Sequence, residues 1–513
     1  MSPLILLAAC GWNRLPSSFE QSIDPLWDPS GALPTVDGLY VPLTASGQLA
    51  LISPEGEYDR IDVGEGRVTR IARAPDNRTV LAFVERYWCD TDDAREARRV
   101  DTLTDCDGED LVVETELSLV AGGAVGDAQS VSGAYNRVAF SDDGKHAIAF
   151  LDLSDGIDVD SVLNLTAVMV VDLDGGTSEL VPVGFAADEV LFVEDEVGQA
   201  IRAVVVSRNQ VGVIDLASSP AALTVTFPLT LDPDVVVDPV GIALTPSGDH
   251  ALVSARGSSD LYALDLEVQA INIVELASAP AAMAVAEAAD RTVLVYGGAA
   301  TVQLLDHEVF ELETFPLDEP MSRITVAGDQ ALLWDDTTAH DLYRVDLGSD
   351  DVIEYRLQNP AVSLHVAPTA EFAVALTRAE GGGGTGVDAL YDTHPGMEVI
   401  DLRTDETEPF LLVGDGLGVA FAADETHLNA LVLQRGVESL FRLDLYTQQT
   451  EEIELSAPPV AIGTLADGRF FITHTSALGL VTFLDPATGK TVEVAGFAAQ
   501  ALFDPIDLQQ EAP

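Results

Sequence analysis

The chain has 513 residues, and its 85 Asp and Glu against 25 Lys and Arg give a formal net charge of -60. That balance sets DNA and RNA aside as partners, because a phosphate backbone needs clustered cations. At 47% hydrophobic residues the chain is nevertheless a folding one and not a disordered one.

An acidic surface with Lys145 and Lys490 as its only lysines suits a saline setting, where ions screen self-repulsion beyond roughly 10 Å or less. No apolar run reaches the roughly 20 residues that a membrane-spanning helix needs, so any membrane contact is expected from the N-terminus. There the sequence reads "MSPLILLAACGW". Leu7, Ala8, Ala9 and Cys10 resemble a bacterial lipobox, in which the chain is cut before a cysteine that then carries lipid. The resemblance implies a signal peptide over 1–10, a lipidated Cys10, and export to the outer membrane or cell surface of a Gram-negative bacterium. Residues 11–36 read as a tether.

Next comes a repeat with a long polar interruption, "CDTDDAREARRVDTLTDC". In an oxidising compartment Cys89 and Cys106 at its ends are expected to form a disulfide, contributing on the order of 3 kcal/mol by restricting the unfolded chain. Within it "LTDCDGEDLVVE" places Asp105, Asp107, Gly108 and Glu114 at positions three, five, six and twelve of an EF-hand-like calcium loop. Leu103 stands where the first carboxylate should be, so the weightier reading is a solvated acidic loop and no cofactor, with Ca2+ as the alternative.

From there a sentence recurs. An alternating apolar stretch ends in Asp at Asp172, Asp215, Asp265, Asp306, Asp346, Asp401, Asp444 and Asp485, at spacings of 40 to 55 residues. Two further apolar segments precede each copy and a fourth alternating stretch follows it, which makes four short strands per unit. Gly and Asp turns and the absence of a 3.6-residue period point to an all-β propeller of four-stranded antiparallel blades, with no helix expected. In one unit the strands read as Val240 to Leu244, Ala251 to Ala255, Leu261 to Asp265 and Ile271 to Leu276. The eight Asp are expected to cap turns through backbone amides two residues on. The stretch "TPSGDHALVSARGSSDLYALDLE" resembles the YVTN and WD40-like repeats of bacterial surface propellers.

Counting from the N-terminus adds two units and gives about ten, over residues 37–504, with 505–513 as a tail. The first unit shows strands b, c and d only, and "AAQALF" at 498–503 is positioned to return the missing strand a and close the ring. The alternatives are seven or eight blades, or two rings.

Three insertions depart from the short default loop, and all fall between strands b and c. They carry Asp92, Arg95 and Arg98, then Asp155, Asp158 and Asp160, then Tyr391 and His394. In an up-and-down blade the b-to-c and d-to-a connections share one face, so the insertions are expected to decorate that face and bind a protein or saccharide partner. The eight histidines are scattered, and no zinc spacing, nucleophile elbow or phosphate loop is present. Some propellers resembling this one are lactonases or quinoproteins with sites assembled from separate blades, so an enzyme stays open beside a binding protein and an envelope-assembly scaffold.

Overall fold

The computed structural model describes residues 27–498 apart from 45, 91–97, 101–109, 127–128, 133–134, 154–164, 233, 382–385, 387 and 424–426. It leaves undescribed the side chains of 87–90, 98–100, 110–114, 129–132 and 388–389.

Strand b of the fifth repeat, "HALVSA", shows why the fold forms. Alternate residues point to opposite faces of a strand, so Ala251 and Val253 enter a core shared with the preceding repeat, while Leu252 enters one shared with the following repeat. A strand buried on both faces must be apolar nearly throughout. The turn before it is built from Thr245 to His250. Gly248 adopts a φ of +72° there, and the Thr245 hydroxyl accepts the His250 amide at 3.2 Å.

Ten such sheets follow one another, each with four antiparallel strands in chain order, lettered here a to d from the channel outward, and blade 2 adds two short strands, Arg98–Val100 and Ala124–Val125. Ten interblade cores join them, one per neighbouring pair, including one that unites blade 10 with blade 1. The protein is therefore a single ten-bladed β-propeller. The fifth repeat's strands, Pro239–Leu244, His250–Ala255, Asp260–Asp265 and Ala270–Glu275, lie within a residue of their sequence-based bounds.

Two expectations are corrected. Blade 1 is not short of its inner strand, because Leu33–Thr35, assigned to the tether, pairs with Gly38–Leu43 and takes that place. The ring closes instead through packing. Trp27 is 2% exposed and meets the Phe497 ring edge-on with centroids 5.1 Å apart, and the Thr473 hydroxyl of blade 10 donates to the Pro29 carbonyl at 2.8 Å. Beyond Ala498, the stretch expected to supply the closing strand lies outside the described residues. A short helix, Asp388–Thr393, also occurs where none was expected, inside the blade 8 insertion. Among the described residues no helix is long and apolar enough to cross a membrane.

Candidate binding face

The strand-c aspartates are turn caps on one face of the ring. Each of the eight accepts at least one backbone N–H two residues on, at 2.9 or 3.0 Å: Asp172, Asp215, Asp265, Asp306, Asp346, Asp401, Asp444 and Asp485. They cap c-to-d turns, on the side of the ring away from the insertions. Clefts of about 330 Å³ beside Asp401 and about 130 Å³ beside Asp172 also open there, between the c-to-d turns of neighbouring blades. His146 and His250 each begin a strand b, opposite Asp172 and Asp265 in register.

The insertions do share the other face. They connect Thr79–Asp90 to Asp110–Ala121 in blade 2, His146–Phe150 to Ala167–Asp172 in blade 3, and Phe372–Thr377 to Gly396–Asp401 in blade 8. All three are b-to-c connections, and blade 8 stands five places from blade 3 round a ring of ten. In blade 2 the two long strands stay paired from Thr79–Ala121 out to Asp90–Asp110. Strand a pairs only as far as Glu85, so the hairpin runs on past it by five residues, roughly 17 Å. Arg98–Val100 adds a third strand to this arm against Tyr87–Cys89.

Most of the site residues expected from sequence belong to parts whose side chains are not described. Cys10, Asp92, Arg95, Asp105, Cys106, Asp107, Asp155, Asp158 and Asp160 lie outside the described residues, and of Cys89, Arg98 and Glu114 only the backbone is placed. The two that are described come together. Tyr391 and His394 flank the end of the blade 8 helix, and the Asn359 side-chain amide donates to their carbonyls at 2.6 and 3.4 Å. The His394 side chain is exposed, while the Tyr391 hydroxyl turns to the Pro409 carbonyl. Among the described residues no group of three His, Cys, Asp or Glu is arranged to hold a metal ion.

Asn359 belongs to the crossing from blade 7 to blade 8, and that crossing is fixed by a recurring device. Three residues before the strand-c aspartate, a side chain faces the preceding blade and accepts the crossing's amides. Gln303 accepts Ala277 N–H at 3.3 Å, and the Tyr343 hydroxyl accepts those of Asp318 and Glu319 at 3.1 and 3.3 Å. In blade 8 the position is Glu398, 2% exposed and bonded to the Gln358 amide. Burial pushes its carboxyl up to about 7, against the pull of those amides and of His340. His340 in turn reaches Glu380 of the insertion at 3.1 Å.

Sequence reading missed the mouth of the channel. In six blades the a–b ladder skips one residue at the start of strand a: Thr69, Asp188, Val240, Val362, Leu417 and Val460. A bulge re-aims its side chain. Here it turns Val240, Val362 and Leu417 out of the blade cores, to 46%, 38% and 44% exposure. Strand a starts on the d-to-a side, so this partial apolar collar surrounds the opening on the insertion-bearing face. The crossing from blade 4 to blade 5 enlarges it. Ten residues, 229–238, join Ala222–Pro228 to Pro239–Leu244, whereas the other crossings bounded by printed strands take four to six. Leu231 and Val236 there are 91% and 63% exposed. Desolvation at the same mouth, reinforced by Asp238 and Asp152, raises the Asp188 carboxyl, and desolvation alone raises that of Glu189. The available signal was the run "LDPDVVVDPV", too long for a default crossing.

One grouping has the outline of a hydrolytic relay. His307 lies between the Thr292 hydroxyl at 2.7 Å and the Asp290 carboxylate at 2.9 Å. Thr292 is fully buried, so no substrate reaches its oxygen, and the trio clamps strand b of blade 6 to the end of strand c.

No family model matches the chain, and no curated protein matches it. Among solved structures it is similar to a dihydro-heme d1 dehydrogenase, NirN, in complex with DHE, at 13% identity over 66% of this chain and 74% of that one, with a TM-score of 0.40. It is also similar to a eukaryotic initiation factor, at 9% identity over 76% and 89% with a TM-score of 0.45, and to Kuenenia stuttgartiensis hydrazine synthase, at 13% over 48% and 76% with 0.32. At such identities and scores neither substrate nor partner passes from them to this chain.

Proposed function

We propose that this propeller is a binding or scaffold protein of the bacterial envelope, exported and held by a lipid on Cys10, that grips a protein or saccharide partner with its insertion-bearing face. One observation carries the reading. In a chain of net charge -60, Val236, Val240, Val362, Val413 and Leu417 are exposed at the starts of strand a and in the crossings, on the face that also bears the insertions, while on the other face Val197, Val268 and Val309 stand singly on turns of separate hairpins. Leu231, Val235, Val236 and Val240, exposed within ten residues of one another, make the local concentration of apolar surface that marks a contact site.

The partner is expected at the membrane itself, as in an envelope-assembly scaffold, and one relationship favours that version. The Trp27 indole donates to the Ser476 carbonyl in the b-to-c connection of blade 10, so the chain enters the fold from the insertion-bearing face. Sixteen residues separate Trp27 from Cys10, a span of at most about 60 Å. An anchored molecule would hold that face towards its own bilayer.

The test deletes 91–105 or 380–394. Each deletion should leave the melting temperature within a few degrees and abolish retention of the partner found by crosslinking in the native cell; unchanged retention overturns the reading. Separately, Cys10→Ala should move the protein from the membrane fraction to the soluble one.

A further inference from the structure

The crossing between blades 4 and 5 says what chemistry the partner should bring. Leu229 and Val237 are buried and pin its two ends, at 5% and 9% exposure, while Leu231, Val235 and Val236 between them stand at 91%, 45% and 63%. Val240 follows on the bulge. Nothing in local turn chemistry requires apolar side chains there, since Thr230 and Asp232 already close the loop, the Asp232 carboxylate accepting the Asp234 amide at 3.0 Å.

The patch has an acidic frame. Asp232 and Asp234 are exposed on the loop. Asp188 stands on the bulge of blade 4, near enough to Asp238 of the crossing to feel its charge, with Glu189 next in chain. Among the described residues, Arg256 is already paired with Asp238 at 2.8 Å and Arg208 faces Asp188. The carboxylates outnumber the cations, and covering the apolar patch with a neutral partner would strip water from charges left without opposites. The same carboxylates disfavour direct contact of the patch with an anionic lipid surface.

We infer that this crossing docks a cationic amphipathic segment of a partner polypeptide, its apolar side laid on Leu231, Val235, Val236 and Val240 and its Lys or Arg side chains set against Asp188, Asp232 and Asp234. The inference rests on reading the insertion-bearing face as the binding face, and it names the class of partner that face selects.

The test uses the full chain with three synthetic probes: an 18-residue Leu/Lys amphipathic peptide, its Leu/Glu counterpart, and oligolysine of equal charge. At near-physiological salt the Leu/Lys peptide should bind most tightly. V236D/V240D should weaken it at least tenfold while oligolysine binding holds or strengthens with the added charge, and D188N/D234N should weaken it several-fold and flatten its salt dependence. All these side chains are solvent-exposed, so the variants should melt like the parent, and V235S/V236S serves as a milder second pair. Equal binding of the Leu/Glu peptide, or indifference to V236D/V240D, overturns the inference. So does binding of the parent to phosphatidylglycerol vesicles that V236D/V240D removes, which would assign the patch to lipid. If the loop deletions abolish capture of the crosslinked partner while V236D/V240D does not, the binding-face reading stands and this inference fails.

Discussion

Glu398 in strand c of blade 8 accepts the backbone N–H of Gln358 from the crossing out of blade 7. Gln303 and Tyr343 do the same for their own blades with neutral groups. Burial raises the Glu398 carboxyl from its ordinary 4.5 to about 7, so the fold favours the neutral acid. Below about pH 4.5 the group is neutral folded or unfolded and costs nothing. As pH rises towards 7 the unfolded chain ionises first, and stability falls by about 3 kcal/mol in total. Glu398→Gln keeps the acceptor and removes the charge. It should raise the melting temperature at pH 8 and flatten its decline between pH 5 and 7; an unchanged pH profile would show that Glu398 is ionised at no cost.

The same crossing seats the blade 8 insertion through Asn359, whose side-chain nitrogen bonds the Tyr391 and His394 carbonyls. Asn359→Ala removes both bonds at a buried position, 2% exposed, and should cost about 1–3 kcal/mol. Hydrogen exchange should quicken over 388–394 and not over the blade 3 strands; uniform change would point to a global effect.

Trp27 and Phe497 close the ring edge to face. Trp27→Ala deletes a fully packed aromatic from the blade 10–blade 1 core and should cost about 3–5 kcal/mol. Limited proteolysis should then cut first in blades 1 and 10. If the variant melts like the parent, the ring closes by other means.

Thr292→Val keeps the shape of the blade 6 clamp and leaves one nitrogen of His307 without its hydroxyl partner. A loss of about 1–3 kcal/mol is expected, read as a lower melting temperature with an unchanged circular dichroism spectrum.

A net charge of -60 repels itself at low ionic strength. Raising sodium chloride from about 0.05 M to about 1 M shortens the screening length from above 10 Å to about 3 Å, so the melting temperature should rise. A flat or falling response would mean that local ion pairs outweigh the global repulsion.

The repeat, the four strands of each Asp-marked unit, the turn-capping aspartates and the common face of the insertions are all legible in the chain. These are local matters. Period-two alternation, a turn glycine such as Gly248 and an Asp that bonds amides two residues on all operate within a few positions of the chain. The closure of the ring, the collar and the outward turn of the crossing's side chains emerge on folding. Trp27 meets Ser476 across 449 positions, and Leu33–Thr35 looks like linker until it finds Gly38–Leu43. Glu398 reads as one more acid in an acidic chain until Gln358 is brought against it, and Val240 reads as an ordinary core valine until a skipped residue in the ladder turns it outward. Side-chain direction at a bulge, and burial between blades, follow from what the neighbouring blade supplies, and a single strand's pattern does not contain its neighbour.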